Sequence, residues 1–133
     1  PQISPSGRYL AHTSDESGRQ EVQIRSFPSP GTKVTVSTGG ATAAWRGDES
    51  EMYYVSGNAM MAASVKPGPP FVVGKPQELF RGDFAAIQGK NYDVTRDGQR
   101  FLMVKEVTSE GGAQQINVVL NWFEELKRRG PRD

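Results

Sequence analysis

Apolar and polar positions alternate along this chain in short runs, separated by clusters of Gly, Pro, Ser and Asp. A side-chain period of two is the mark of half-buried strands. Residues 8–14 read as one strand, Asp15-Glu16-Ser17-Gly18 as a turn, and residues 20–27 as a second strand. Its Val22 and Ile24 lie on one side, Gln23 and Arg25 on the other. Pro28-Ser29-Pro30-Gly31 is a loop, since proline cannot donate to a ladder, and residues 33–37 form the next strand before Thr38-Gly39-Gly40. The same reading places strands at 42–45, 52–55 and 60–65, a rigid loop at Lys66-Pro67-Gly68-Pro69-Pro70, and a short outer strand at Leu79-Phe80. Strands at 92–94, 100–107 and 116–120 follow. The apolar runs 101–104 and 118–120 predict strands covered on both faces. Only the ending changes period: Asn121 as N-cap with Glu124 as capping-box partner, an apolar stripe of Trp122, Phe123 and Leu126, and a stop at Gly130-Pro131 predict a short helix over 122–129.

One pattern recurs. A short strand ends at Val94, a polar turn holds Asp97-Gly98, and a second strand begins at Phe101; Asp and Gly suit left-handed positions of a tight turn. The chain opens the same way, with Ile3, then Ser4-Pro5-Ser6-Gly7, then Tyr9-Leu10-Ala11. A degraded copy has Trp45, then Arg46-Gly47-Asp48-Glu49-Ser50, then Met52-Tyr53-Tyr54-Val55. Trp45 follows Ile3 by 42 positions and Val94 follows Trp45 by 49. A hairpin recurring at roughly 40–50 residues is the spacing of propeller blades. The expected fold is therefore all-β, with about 2.5–3 antiparallel propeller-type blades over residues 1–40, 41–82 and 83–121, plus a short C-terminal α-helix, all in one domain spanning 1–133.

Composition narrows the function classes. Sixteen basic and fifteen acidic residues leave a net charge of +1, and the mean hydropathy is −0.58. A balanced chain lacks the clustered basic face that nucleic acid or an anionic membrane requires, so neither is expected as a partner. The basic end, Lys127-Arg128-Arg129, reads as a solvated helix terminus. No apolar run approaches a bilayer-spanning length, so direct membrane insertion is not expected. Cys is absent and His12 is the single histidine, which leaves no zinc site of the ordinary kind. Opening at a Pro within a strand-like segment, the chain reads as an excerpt of something longer.

The turn sequences Ser4-Pro5-Ser6-Gly7-Arg8 and Thr95-Arg96-Asp97-Gly98-Gln99-Arg100 resemble the Ser-Pro-Asp-Gly-Arg/Lys signature of the TolB-like, WD40-like β-propeller repeat family. The ending Asn117-Val118-Val119-Leu120-Asn121-Trp122-Phe123-Glu124-Glu125-Leu126 resembles the C-terminal closure of large bacterial proteins with such repeats, several of which carry the propeller behind a serine/threonine kinase domain. Ser6 stands where the signature has Asp, and the middle copy lacks the Pro. The resemblance implies a non-catalytic module for binding or sensing a protein or small-molecule ligand, with an extracytoplasmic placement favoured, and assigns no catalytic residue. No kinase motif is present. Closed propellers usually have four to eight blades, so exposed blade faces predict self-association.

Against that reading stand several candidate chemistries. His12, Ser14 and Asp15 are the candidates for a catalytic set, although His12 and Ser14, two residues apart on one strand, sit about 7 Å from each other. The exposed loops at 15–18, 67–70 and 85–90 are the candidates for recognition, with Asp15, Glu16, Pro69 and Gln88 in them and Asn91 just after the last as the candidate binding residues. Calcium is the one cofactor to which the residues are suited, since it takes carboxylate and carbonyl oxygens; Asp48, Glu49 and Asp97 are its candidate ligands, and otherwise no cofactor is expected. Propeller lactonases with a central calcium make a small lactone or ester hydrolase the rival function. The accessory propeller of a peptidase of the prolyl-oligopeptidase kind is a third.

Overall fold

The computed structural model describes residues 1–29, 31–85 and 89–105. The predicted helix at 122–129, the strand at 116–120 and the candidate Gln88 lie outside the described residues.

Within them the chain is all-β and antiparallel, with no helix. Four strands form the first sheet in chain order: β1 (Gln2–Ile3), β2 (Tyr9–Ser14), β3 (Glu21–Ser26) and β4 (Lys33–Thr35). The second sheet runs β5 (Ala41–Trp45), β6 (Glu51–Ser56) and β7 (Ala59–Lys66). Along the free side of β7 lie β8 (Val72–Val73) at one end and β9 (Gln77–Arg81) at the other. A hairpin of β10 (Tyr92–Val94) and β11 (Phe101–Met103) is the third sheet among the described residues. No sheet closes on itself among the described residues.

Three turns repeat one geometry. Ser4 N–H donates to Tyr9 O and Gly7 N–H to Ser4 O, at 2.8 and 2.9 Å. Arg46 and Glu49 make the same two bonds to Glu51 O and Arg46 O, at 3.0 Å each, and Thr95 and Gly98 make them to Arg100 O and Thr95 O, at 3.0 and 2.8 Å. The fourth residue is left-handed each time: Gly7 at φ +73°, Glu49 at +61° and Gly98 at +70°. Asp97 is not left-handed, contrary to expectation. Its carboxylate instead accepts Gln99 N–H at 3.0 Å, as Asp48 accepts Ser50 N–H at 3.0 Å and Ser6 Oγ accepts Arg8 N–H at 3.4 Å. An acceptor at the third position thus ties the turn to the strand that follows.

The sheets stack face to face. Tyr9, Ala11, Val22 and Ile24 of the first sheet pack against Trp45, Met52, Tyr54, Ala63 and Val65 of the second. The opposite side chains of the second sheet, Ala44, Tyr53, Met60 and Ala62, pack against Tyr92, Val94, Phe101 and Met103 of the third. The second sheet is therefore the middle layer. Its consecutive residues Met52, Tyr53 and Tyr54 are all buried because each face has a neighbour. The run 101–104, expected to be covered on both faces, is not: Leu102 is 41% exposed while Phe101 and Met103 point to the second sheet. Gln23, on the side opposite Val22 and Ile24, is nevertheless only 4% exposed, in a strand paired on both edges by β2 and β4. The strand β8 was not legible, since two valines just after Pro69-Pro70 carry no period.

Candidate functional site

At the end of the stack opposite the three turns, a groove of about 300 Å³ opens between the first and second sheets. The start of β1 contributes Gln2, β2 contributes Ala11, His12 and Thr13, and the turn before β3 contributes Gln20. Ala41, Thr42 and Ala43 of β5 form the facing wall, with Gly89 and Lys90 at its edge.

The β5 wall owes its shape to an irregular backbone. The pairing of β5 with β6 shifts register between Ala41 and Ala44, and Thr42 inside that shift has φ +59°. A β-branched residue there is strained, and such strain persists only where the surroundings hold it. Tyr92 supplies the hold: its hydroxyl lies 2.6 Å from Thr42 O and 3.0 Å from Tyr53 O. Burial, with the negative charge of Asp93, keeps that phenol protonated well above its ordinary range. Thr42 Oγ1 donates to Gly89 O at 3.4 Å, which joins the groove edge to the wall. Gly40 makes the close approach possible, because a Cβ there would sit 2.5 Å from Val55 O.

His12 is half-buried on β2 beside the groove, its side chain on the opposite face of the strand from Ala11 and Thr13. Its Nδ1 lies 3.2 Å from Thr13 O, and its buried Nε2 has no hydrogen-bond partner. Ser14 Oγ accepts Glu16 N–H at 3.4 Å, and Asp15 O accepts Gly18 N–H at 2.8 Å. His12, Ser14 and Asp15 therefore make no mutual hydrogen bond, and of the three only His12 lines the groove. Glu16 is occupied on the surface by Arg25, at 2.9 Å, and by Lys33; the Lys33 ammonium and then the Arg25 charge hold its carboxyl below the usual range. Pro69 is exposed in the loop before β8, away from the groove lining. Asn91 is buried, its amide donating to Ala85 O at 3.0 Å.

The three metal candidates do not converge. Asp48 is tied to the Ser50 hydroxyl and N–H, and Asp97 to the Thr95 hydroxyl and Gln99 N–H; these bonds hold both carboxyls low. Glu49 turns the other way and accepts Ser6 N–H from the first turn. Burial pushes the Glu49 carboxyl up, but the bonds from Ser6 and Ser4 and the Arg8 charge outweigh it and leave the group below its ordinary range. Among the described residues no three His, Cys, Asp or Glu side chains form a group able to hold a metal ion.

Thr42 and Gln20 were missed from sequence, whereas Lys90 belongs to the 85–90 loop that was expected to carry recognition. Gly39-Gly40 before an Ala-Thr-Ala run marked an irregular strand, but nothing local tied it to His12. No helix among the described residues is long and apolar enough to cross a membrane. No protein-family model matches this chain, and no curated protein matches it.

Proposed function

We propose that the three sheets are successive blades of a β-propeller-type repeat module, and that the module binds a small polar molecule or a short peptide without catalysis. One observation carries the reading: a single turn geometry returns three times at the head of face-to-face sheets, while the groove gathers hydrogen-bonding side chains with no nucleophile, base and acid in mutual contact. Gln2, Thr13, Gln20, Thr42 and Lys90 offer donors and acceptors over a floor of Ala11 and Ala43, which suits recognition of an amide or carboxylate.

Amide chemical-shift mapping tests this during titration with short peptides and small polar metabolites. Shifts are expected to cluster at Gln2, Thr13, Gln20, Thr42 and Gly89, with Gln20→Ala weakening binding roughly tenfold through one lost hydrogen bond. Hydrolysis of an ester or lactone that is abolished both by a chelator and by His12→Ala would replace this reading with the hydrolase one.

A further inference from the structure

The repeat gives every position of one sheet a counterpart in the next. Aligned on their turns, the cross-strand pair Ile3 and Leu10 corresponds to Trp45 and Met52, and to Val94 and Phe101. His12 corresponds in the same way to Tyr54 and Met103. In the second sheet these side chains are buried against the first: Trp45 is 7% exposed, Met52 0% and Tyr54 3%. In the third they pack against the second. In the first sheet the same face has no neighbouring sheet among the described residues, and Ile3 is 53% exposed.

That face also carries unmet hydrogen-bonding capacity. Gln23 pairs with His12 across β2 and β3 and so shares its face; Arg25 lies two residues on and shares it too. Gln23 is buried to 4% exposure, yet its Oε1 has no partner, nor has His12 Nε2 or Arg25 Nε. Buried polar atoms are normally satisfied, and these three unpartnered atoms gather on one sheet face.

The complementary half of the joint is on the same chain. The face by which each sheet covers its successor is built on the pair Gln2 and Ala11 in the first sheet and Ala44 and Tyr53 in the second. Its counterpart in the third is the pair Asp93 and Leu102, and Leu102 is 41% exposed. We propose that the outward face of the first sheet, centred on Ile3, Leu10, His12 and Gln23, docks the Asp93–Leu102 face of a second copy of this chain, repeating between molecules the joint that already binds sheet to sheet within one.

The joint joins unlike faces, so each copy offers one of each, and two copies of three sheets can close on themselves through two such joints. The inference rests on the equivalence of the sheets, which also underlies the propeller reading, and is independent of what the groove binds.

Light scattering after size exclusion on the 133-residue chain, over a range of concentrations, tests it with Ile3→Glu and Leu102→Glu. Both residues are exposed, and circular dichroism checks that each variant keeps its fold. The wild-type chain is expected to form a discrete dimer. Each variant alone should dissociate, with association weakened at least about tenfold. Mixing the two variants should restore a one-to-one dimer, because the intact face of one meets the intact face of the other. A wild-type chain that stays monomeric overturns the proposal, as does association insensitive to both substitutions. Loss caused by Ile3→Glu alone, without rescue, overturns it in favour of like faces meeting. None of these failures touches the groove reading, which shift mapping decides separately.

Discussion

Glu49 carries more of the structure than a turn residue ordinarily does. It occupies a left-handed position that the first and third turns fill with Gly7 and Gly98, at a backbone cost of about 1–2 kcal/mol for a side chain with a Cβ. The compensation is across the sheets: its carboxylate takes Ser6 N–H from the first turn, where it is only 6% exposed. A hydrogen bond to a charged acceptor contributes about 1.5–3 kcal/mol. Glu49→Gln keeps the shape and removes the charge, and is expected to lower unfolding free energy by about 1–2 kcal/mol at neutral pH. The carboxyl is held below its ordinary value of 4.5 in the fold. Its contribution is therefore full above that value and disappears as pH falls through the lower, folded one. Urea melts of both proteins at neutral pH and in acid should show the gap between them closing on acidification; a constant gap would mean the charge is not what matters.

At the scale of single elements, burial follows position in the stack more than hydrophobicity. Met52 is fully buried in the middle sheet, whereas Leu102, in an equally apolar run, is open on one side. Met52→Ala should cost about 2–5 kcal/mol and Leu102→Ala under about 0.5 kcal/mol, read by chemical denaturation at a concentration where the chain is monomeric. The contrast marks what the sequence could and could not say. The strands and their spacing were legible because period two and Gly- or Asp-containing turns are local signals. Leu102 and Met52 sit in runs that look alike, and only the neighbouring sheet distinguishes them. Gln23 shows the same limit: an alternating pattern gives the face of a residue, not how exposed the residue is on that face. At the groove, the loop that ends at Lys90 was picked out for recognition, but Thr42 reaches the groove from a strand that no local signal tied to it. Asp48 and Asp97, read as metal ligands from their charge, are used by their own turns.

Across the whole molecule, the stack is held at one end by contacts between turns and at the other by contacts between first strands. Trp45 Nε1 donates to Gln2 O at 3.3 Å, and the Tyr92 hydroxyl bridges to the carbonyls of Thr42 and Tyr53. Both anchors bind the start of one sheet to the sheet before it. The first anchor joins the two sheets that form the groove walls, and the second holds Thr42 of one wall in place. A ligand that spans Gln2 and Thr42 should accordingly raise the melting temperature as well as shift local amides.

The two joints at the turn end differ in kind. The first turn is held to the second by the Glu49 carboxylate, but the second is held to the third by Gly47 N–H donating to Arg96 O at 2.9 Å, a bond between backbone groups that no proton can switch. Mild acid should then unzip the molecule from one side only. In amide hydrogen exchange near the folded carboxyl value, protection should fail first as a cooperative unit in β2 and β3, while β6 and β7 exchange only with global unfolding. Were all these strands to lose protection together, the carboxylate would not be the weaker seam, and the middle sheet would owe its order equally to both neighbours.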